Sequence, residues 1–170
     1  ALEKKSCKAK SITIKKNNII YVKQENKELG YVGNPTRVDT KLLKEIIKED
    51  CIPVVVPMGL DEKGIAYNIN ADTAAGAIAR SIKSRRLMLL TDIEGVLDNN
   101  EKLISEINTM EAKELINSET IHGGMIPKVK TCIDAINNGV RAVVILDGRK
   151  PHSILFELFS DKGAGTLIRK

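Results

Sequence analysis

Tryptophan is absent from this 170-residue chain, and other aromatics are scarce, with two Phe and three Tyr. The core is left to Ile, Leu, Val and Ala. No aromatic platform exists on which nucleic-acid bases would stack. The formal charge is +5, yet Lys and Arg are interleaved with carboxylates and form no basic run. Nucleic acid is therefore not an expected partner, and a few cations suit a small anion such as a nucleotide better. Cys7, Cys51 and Cys132 are odd in number and far apart, which suggests neither a disulfide framework nor a zinc site. No apolar run is long enough to span a bilayer, and the first residues carry no apolar signal core. The expectation is a soluble, cytoplasmic protein without a membrane segment. Gly-Lys-Ser/Thr is missing, so there is no Walker loop. His122 and His152 have no nucleophile at a recognisable spacing, so acyl transfer through a triad has no support.

What is present is a hydrophobic share of 42%, enough for an ordinary globular core. The most informative stretch is Tyr67-Asn68-Ile69-Asn70-Ala71-Asp72. Alternate residues on an extended segment point the same way, so Asn68 and Asn70 are expected to project from a strand end. Asp72 falls near a helix start, where a carboxylate accepts backbone N–H groups. Open α/β sheets place ligands at such strand ends. The alternative is a hairpin strand and a capped helix with no chemistry. A calcium loop fails, because Thr73 and Ala79 stand where it needs Gly and Glu.

Along the chain, segments 11–14 and 19–22 flank the turn-forming Lys16-Asn17-Asn18 and read as a hairpin. Leu29 to Gly33 reads as a further strand, and Asp39 as the cap of a helix over 40–49. The apolar run Ile52 to Met58 reads as one strand buried on both faces. An Ala/Gly-rich helix over 72–83 follows, slim enough to lie close to a sheet. Strands are expected at 87–90, 104–107, 140–146 and from Gly165. Helices are expected from Thr109, after Gly124 and over 152–159. The expectation is an α/β fold with an open, mainly parallel sheet, helices on both faces, and antiparallel hairpins at an edge.

Two further segments carry candidate chemistry. Thr91-Asp92-Ile93-Glu94-Gly95-Val96 sits just past a strand's C-terminal end, the ligand side of such sheets. Gly95 permits close backbone approach, and Asp92 can accept from a nucleotide sugar or base. The alternative is plain strand-to-turn punctuation. His122-Gly123-Gly124-Met125-Ile126-Pro127-Lys128 sets two glycines before a helix and an ammonium in its first turn. Free N–H groups, close approach and positive charge together suit phosphate. A solvated helix lysine is the alternative.

Taken in order, Leu29–Gly33, Ile52–Gly59, Tyr67–Gly76, Leu89–Asp98, Gly123–Val129 and Asp147–His152 resemble the acetylglutamate kinases of the amino-acid kinase family over nearly the whole chain. That resemblance implies the family's three-layer α/β fold. It implies ATP with Mg2+, and phosphorylation of the γ-carboxylate of N-acetyl-L-glutamate in arginine biosynthesis. It assigns Asn68 to the substrate, Asp72 to orienting catalytic lysines and Lys128 to the transferring phosphoryl group, with no protein-held metal. Thr91, Asp92, Gly95, Val96 and Leu97 in one segment, and Gly123, Gly124 and Met125 in the other, are assigned to ATP. Residues 1–82 would be the remainder of the amino-acid-binding lobe and 83–170 the nucleotide lobe. The family's early Lys and glycine loops have no counterpart here, so the chain is expected to be an inactive piece of a longer, homo-oligomeric enzyme. Glu157 and Gly163 match an effector loop for arginine, although Val144 stands where arginine-inhibited members often carry His. The alternatives are another amino-acid kinase, acting on carbamate or glutamate, and a catalytically silent nucleotide-binding or interaction module.

Overall fold

A computed structural model describes residues 2–170. The chain divides into two compact units, one ending at Ile82 and the other comprising Lys83–Lys170. Both are mixed α/β assemblies with open sheets.

The first unit contains β1 (Ala9–Ile12), β2 (Ile20–Gln24), β3 (Gly33–Val38), α1 (Lys41–Lys48), β4 (Ile52–Val55), β5 (Met58–Leu60), β6 (Ala66–Asn68) and α2 (Ala71–Ile82). β1 and β4 form a parallel pair, with Ala9 opposite Ile52. A separate sheet has the order β3-β2-β5-β6. Its core is Ile19, Ile20, Val22, Tyr67, Ile69 and Ala74, joined by Ile12, Leu43 and Ile46. Leu43 and Ile46 lie three apart on one face of α1. Burying each contributes roughly 1.5–3 kcal/mol. The small residues Ala74, Gly76, Ala77 and Ala79 form the buried face of α2.

Several expectations for this unit are corrected. β1 and β2 do not form a hairpin. The chain does turn between them, through a bridge from Thr13 to Lys16 and a left-handed Asn17. The two strands then enter different sheets, because β1 is taken by β4 and β2 by β3 and β5. A short 3-10 turn occupies Lys27–Leu29, capped by Asn26, and Gly30 adopts a positive φ. The strand therefore begins only at Gly33. The 52–58 run is split into β4 and β5, and β4 is not buried on both faces: Ile52, Val54 and Val56 are exposed.

The second unit contains β7 (Arg86–Thr91), β8 (Glu106–Asn108), α3 (Thr109–Asn117), α4 (Met125–Asn137), β9 (Ala142–Asp147), α5 (Ser153–Phe159) and β10 (Gly165–Arg169). The sheet order is β7-β9-β10-β8. β7 runs parallel to β9, β10 antiparallel to β9, and β8 parallel to β10. Val143 to Leu146 of β9 are fully buried, as a near-continuous apolar strand requires. Asn108, not Thr109, caps α3: its side chain accepts from the N–H groups of Met110 and Glu111, while Glu111 reaches back to the Asn108 N–H. That reciprocal arrangement is a capping box. Val129, Cys132, Ile133 and Ile136 form the buried stripe of α4.

Candidate functional site

At the junction of β6 and α2, Asn68 ends the strand with its side chain exposed. Its N–H donates to the Tyr31 carbonyl at 2.9 Å. The neighbouring Tyr67 ring is buried and lies 5.8 Å from the Tyr31 ring. Burial, and then the charge of Asp61, push the Tyr67 phenol up. Asn70, rather than Asp72, accepts the helix-start donors, at 3.0 Å from Asp72 N and 3.2 Å from Thr73 N. Asp72 belongs to the first helical turn, with its carboxylate near the positive end of the helix dipole. Asn68 and Asp72 thus lie four residues apart on the first unit.

The second unit gathers the other candidates. Thr91, Asp92, Gly95, Val96 and Leu97, together with Gly123, Gly124, Met125 and Lys128, line one cavity of about 560 Å³. Thr120, Ile121, His122 and Ile93 complete its wall. That volume is in the range of small-ligand sites. β7 delivers Thr91 and Asp92 at its C-terminal end, where the Thr91 hydroxyl donates to Asp92 Oδ1 at 3.2 Å. The backbone then turns through Gly95, whose φ is +153°. A Cβ there would lie 2.5 Å from Thr166 Oγ1 and 2.7 Å from Leu103, so no side chain fits. On the opposite wall a Cβ at Gly123 or Gly124 would meet nothing within 4 Å. The loop therefore leaves open space before α4. Two of the donors expected to face an anion are turned inward instead: Met125 N donates to the His122 carbonyl at 3.2 Å and Ile126 N to the Gly123 carbonyl at 3.3 Å. Pro127 has no N–H. Lys128 is half-buried at the edge of this wall.

Opposite Thr91 in the sheet, β9 ends in the buried carboxylate of Asp147. It receives Arg149 Nε and Nη2 in a two-point grip, each at 3.0 Å, and the Arg149 N–H at 2.9 Å. The side-chain bonds from Arg149, then its N–H, hold the Asp147 carboxyl down to about 2. Asp147 in turn raises the Arg149 guanidinium. The Gly148 N–H donates to the Thr91 carbonyl at 2.8 Å, and Lys150 pairs with Glu94. Just past the cavity turn, Asp98 accepts from the N–H groups of Lys102 and Asn100, which lower its carboxyl.

A second cavity, of about 540 Å³, is lined by residues that include Arg86, Ser105, Glu157 and Gly163. Glu157 is buried. One carboxylate oxygen takes Arg86 Nη1 at 3.3 Å and the other the Ala164 N–H at 3.0 Å. Gly163, with φ +67°, comes so near that a Cβ would lie 2.7 Å from Glu157 Oε2. Val144, by contrast, is fully buried in β9.

Thr166 was not among the residues singled out in the sequence. It is fully buried and polar, and its hydroxyl accepts from Val96 N at 2.8 Å. A lone Thr in an apolar strand carries no signal that its partner lies 70 positions away.

The chain is 61% identical, over all 170 residues, to an acetylglutamate kinase of Pelagibacter ubique, and spans 59% of that relative's length. It is 53% identical over 143 residues to an acetylglutamate kinase of a Bradyrhizobium strain, covering 84% of this chain and 48% of the relative. Among solved structures, N-acetylglutamate synthase of Neisseria gonorrhoeae complexed with coenzyme A and L-arginine superposes with a TM-score of 0.85 at 25% identity, over 96% of this chain and 38% of the other. The amino acid kinase family matches residues 1–147. With that match covering well over half of the chain, this chain belongs to the amino acid kinase family.

Proposed function

We propose that this chain is part of a cytoplasmic, homo-oligomeric kinase of arginine biosynthesis that transfers the γ-phosphoryl group of ATP to the γ-carboxylate of N-acetyl-L-glutamate. The observation that carries this reading is the 61% identity to an acetylglutamate kinase across the whole chain. The cavity between the 91–97 turn and the start of α4 supports it as a nucleotide pocket. Residues 1–82 belong to the amino-acid-binding lobe in this reading, and 83–170 to the nucleotide lobe. Mg2+ travels with the ATP phosphates as part of the substrate in this reading.

The chemistry asks little covalent work of the protein. An oxygen of the ionised γ-carboxylate attacks the γ-phosphorus, and the bond to the bridging oxygen breaks as ADP leaves with that electron pair. No proton has to be removed, because such a carboxylate is already ionised near neutrality. The difficulty is two anions that repel one another. Lys128 offsets charge on the transferring group. Asn68 binds the acetylglutamate, and Asp72 holds neighbouring cations in place through charge-assisted hydrogen bonds. Thr91, Asp92 and Gly95 to Leu97, with Gly123 to Met125, hold the nucleotide.

A chimera in which the Pelagibacter relative supplies the residues this chain does not cover provides the test. It should form ADP in an acetylglutamate-dependent way. Turnover with carbamate or glutamate but not acetylglutamate would sink the reading. Asp72→Asn in that chimera should lower turnover severely with an unchanged melting temperature; full turnover would reduce Asp72 to a helix-start residue. The 170-residue chain alone should bind ADP in calorimetry without turning over.

The Glu157 cavity favours a second ligand, arginine as an effector. Its buried carboxylate already meets one guanidinium, that of Arg86. Arginine should give a calorimetric signal with the chimera that Glu157→Gln removes. No heat with wild type would end this reading.

A further inference from the structure

We propose that Thr166 is the positioning residue of the nucleotide pocket, because its hydroxyl closes a hydrogen-bond ring that fixes the Gly95–Val96 backbone. The inference rests on reading the cavity as a nucleotide site. Three bonds make the ring. Val96 N donates to Thr166 Oγ1 at 2.8 Å, and the Thr166 hydroxyl donates to the Ile104 carbonyl at 2.7 Å. Ile104 N donates back to the Val96 carbonyl at 2.9 Å. The donor and acceptor of Val96 and of Ile104 are all satisfied within it. The hydroxyl has one proton and gives it to Ile104, so the acceptor side is left for Val96.

The surroundings make the ring rigid. Thr166 is fully buried, and Val96 is nearly so. Thr166 sits in β10, held by β9 on one side through its pairing with Ile145. On the other side Leu167 N donates to the Ser105 carbonyl at 2.9 Å. Gly95 completes the fit, since only a residue without a Cβ lets the turn come this close to Oγ1. The turn carries Gly95, Val96 and Leu97 as cavity wall, so its backbone position sets the shape that a nucleotide meets. Without the hydroxyl, the buried Val96 N is left unpaired and the half-buried Ile104 carbonyl loses this partner, and the turn departs from its position to recover partners. Only the fraction of molecules with the turn in place then binds, and apparent affinity falls by that fraction.

Thr166→Val keeps the shape and removes the hydroxyl; Thr166→Ser keeps the hydroxyl. ADP affinity of the 170-residue chain, measured by calorimetry, is expected to fall about tenfold in T166V and to stay within about twofold of wild type in T166S. Ile168→Val, in the same strand and also fully buried, is the control for lost stability alone: its melting temperature should drop while ADP affinity holds. If T166V does not fold, Thr166→Cys takes its place, since a thiol is only a weak hydrogen-bonding group. A hydroxyl-free variant that binds ADP like wild type overturns the proposal, and so does an equal loss in I168V. A wild-type chain that binds no ADP at all sinks the nucleotide reading itself, and the positioning role with it.

Discussion

The two units hold their candidate residues in different ways. At the start of α2, Asn70 reaches two and three residues ahead to satisfy the helix donors. The segment from Asn68 to Asp72 is therefore organised largely by its own neighbours. The 91–97 turn of the second unit is held from far away. Thr166 comes from 70 positions along the chain, and the 147–150 loop contributes the Gly148–Thr91 bond and the Lys150–Glu94 pair. A locally organised site can lose one bond and keep its shape. A remotely organised one transmits any change in packing directly to its wall, because the residues that hold it also hold the sheet.

The largest expected effect comes from removing charge at the cavity. Lys128→Ala in the chimera should lower turnover about a hundredfold, or ~3 kcal/mol, with nucleotide affinity little changed. An unaltered turnover number would remove Lys128 from the chemistry. Next in size is Gly95→Ala. The added methyl meets Thr166 Oγ1 and the Thr166 backbone, and φ +153° is strained for any side chain. A stability loss of about 2–3 kcal/mol is expected, together with weaker ADP binding. If stability falls but ADP affinity does not, the turn is not transmitting packing to the pocket. Asn70→Ala is the local counterpart. It should cost about 1 kcal/mol as a lost cap and leave ADP binding unchanged, and an ADP defect in this variant would erase the distinction between the units.

A further effect concerns acid. The folded Asp147 carboxyl lies at about 2, below the ordinary value near 4 for an unfolded aspartate. Its contribution to stability is present above about pH 4 and is lost as pH falls towards 2. Melting temperature should therefore drop more steeply between pH 4 and pH 2 in wild type than in Asp147→Asn. Parallel curves would show that the Arg149 grip does not stabilise the fold.

Much of this was legible where the physical cause is local. The apolar spacing of 42–47 marks α1, and Gly123-Gly124 ahead of Pro127 marks the start of α4. Alternating amides mark the end of β6, although the capping role fell to Asn70, whose position just before the helix lets it reach both donors. Strand partnership was not legible. Segments 11–14 and 19–22 carry a fair hairpin signal, but β4 competes for β1, and the parallel pairing with Ile52 to Val55 depends on chain 43 residues away. The run 52–58 matched a doubly buried strand in composition, yet composition does not say how many faces are covered. Thr166 was invisible for the same reason: its chemistry lies in the partners that the fold brings to it.

Unit one leaves one hazard in view. Among the described residues β4 pairs on one edge only, and Ile52, Val54 and Val56 are exposed beside it. A bare edge next to a greasy β-branched face is a template for runaway strand addition, the seed of aggregation. Ile52 and Val56 turn their N–H groups towards β1, bonding to the Lys8 and Ile12 carbonyls. The open edge therefore belongs to the residues between them, Pro53 and Val55. Proline has no hydrogen to give. Among the described residues an incoming strand finds a single donor along this edge of β4, too few for a ladder to propagate, and Pro53 serves as the gatekeeper of that edge.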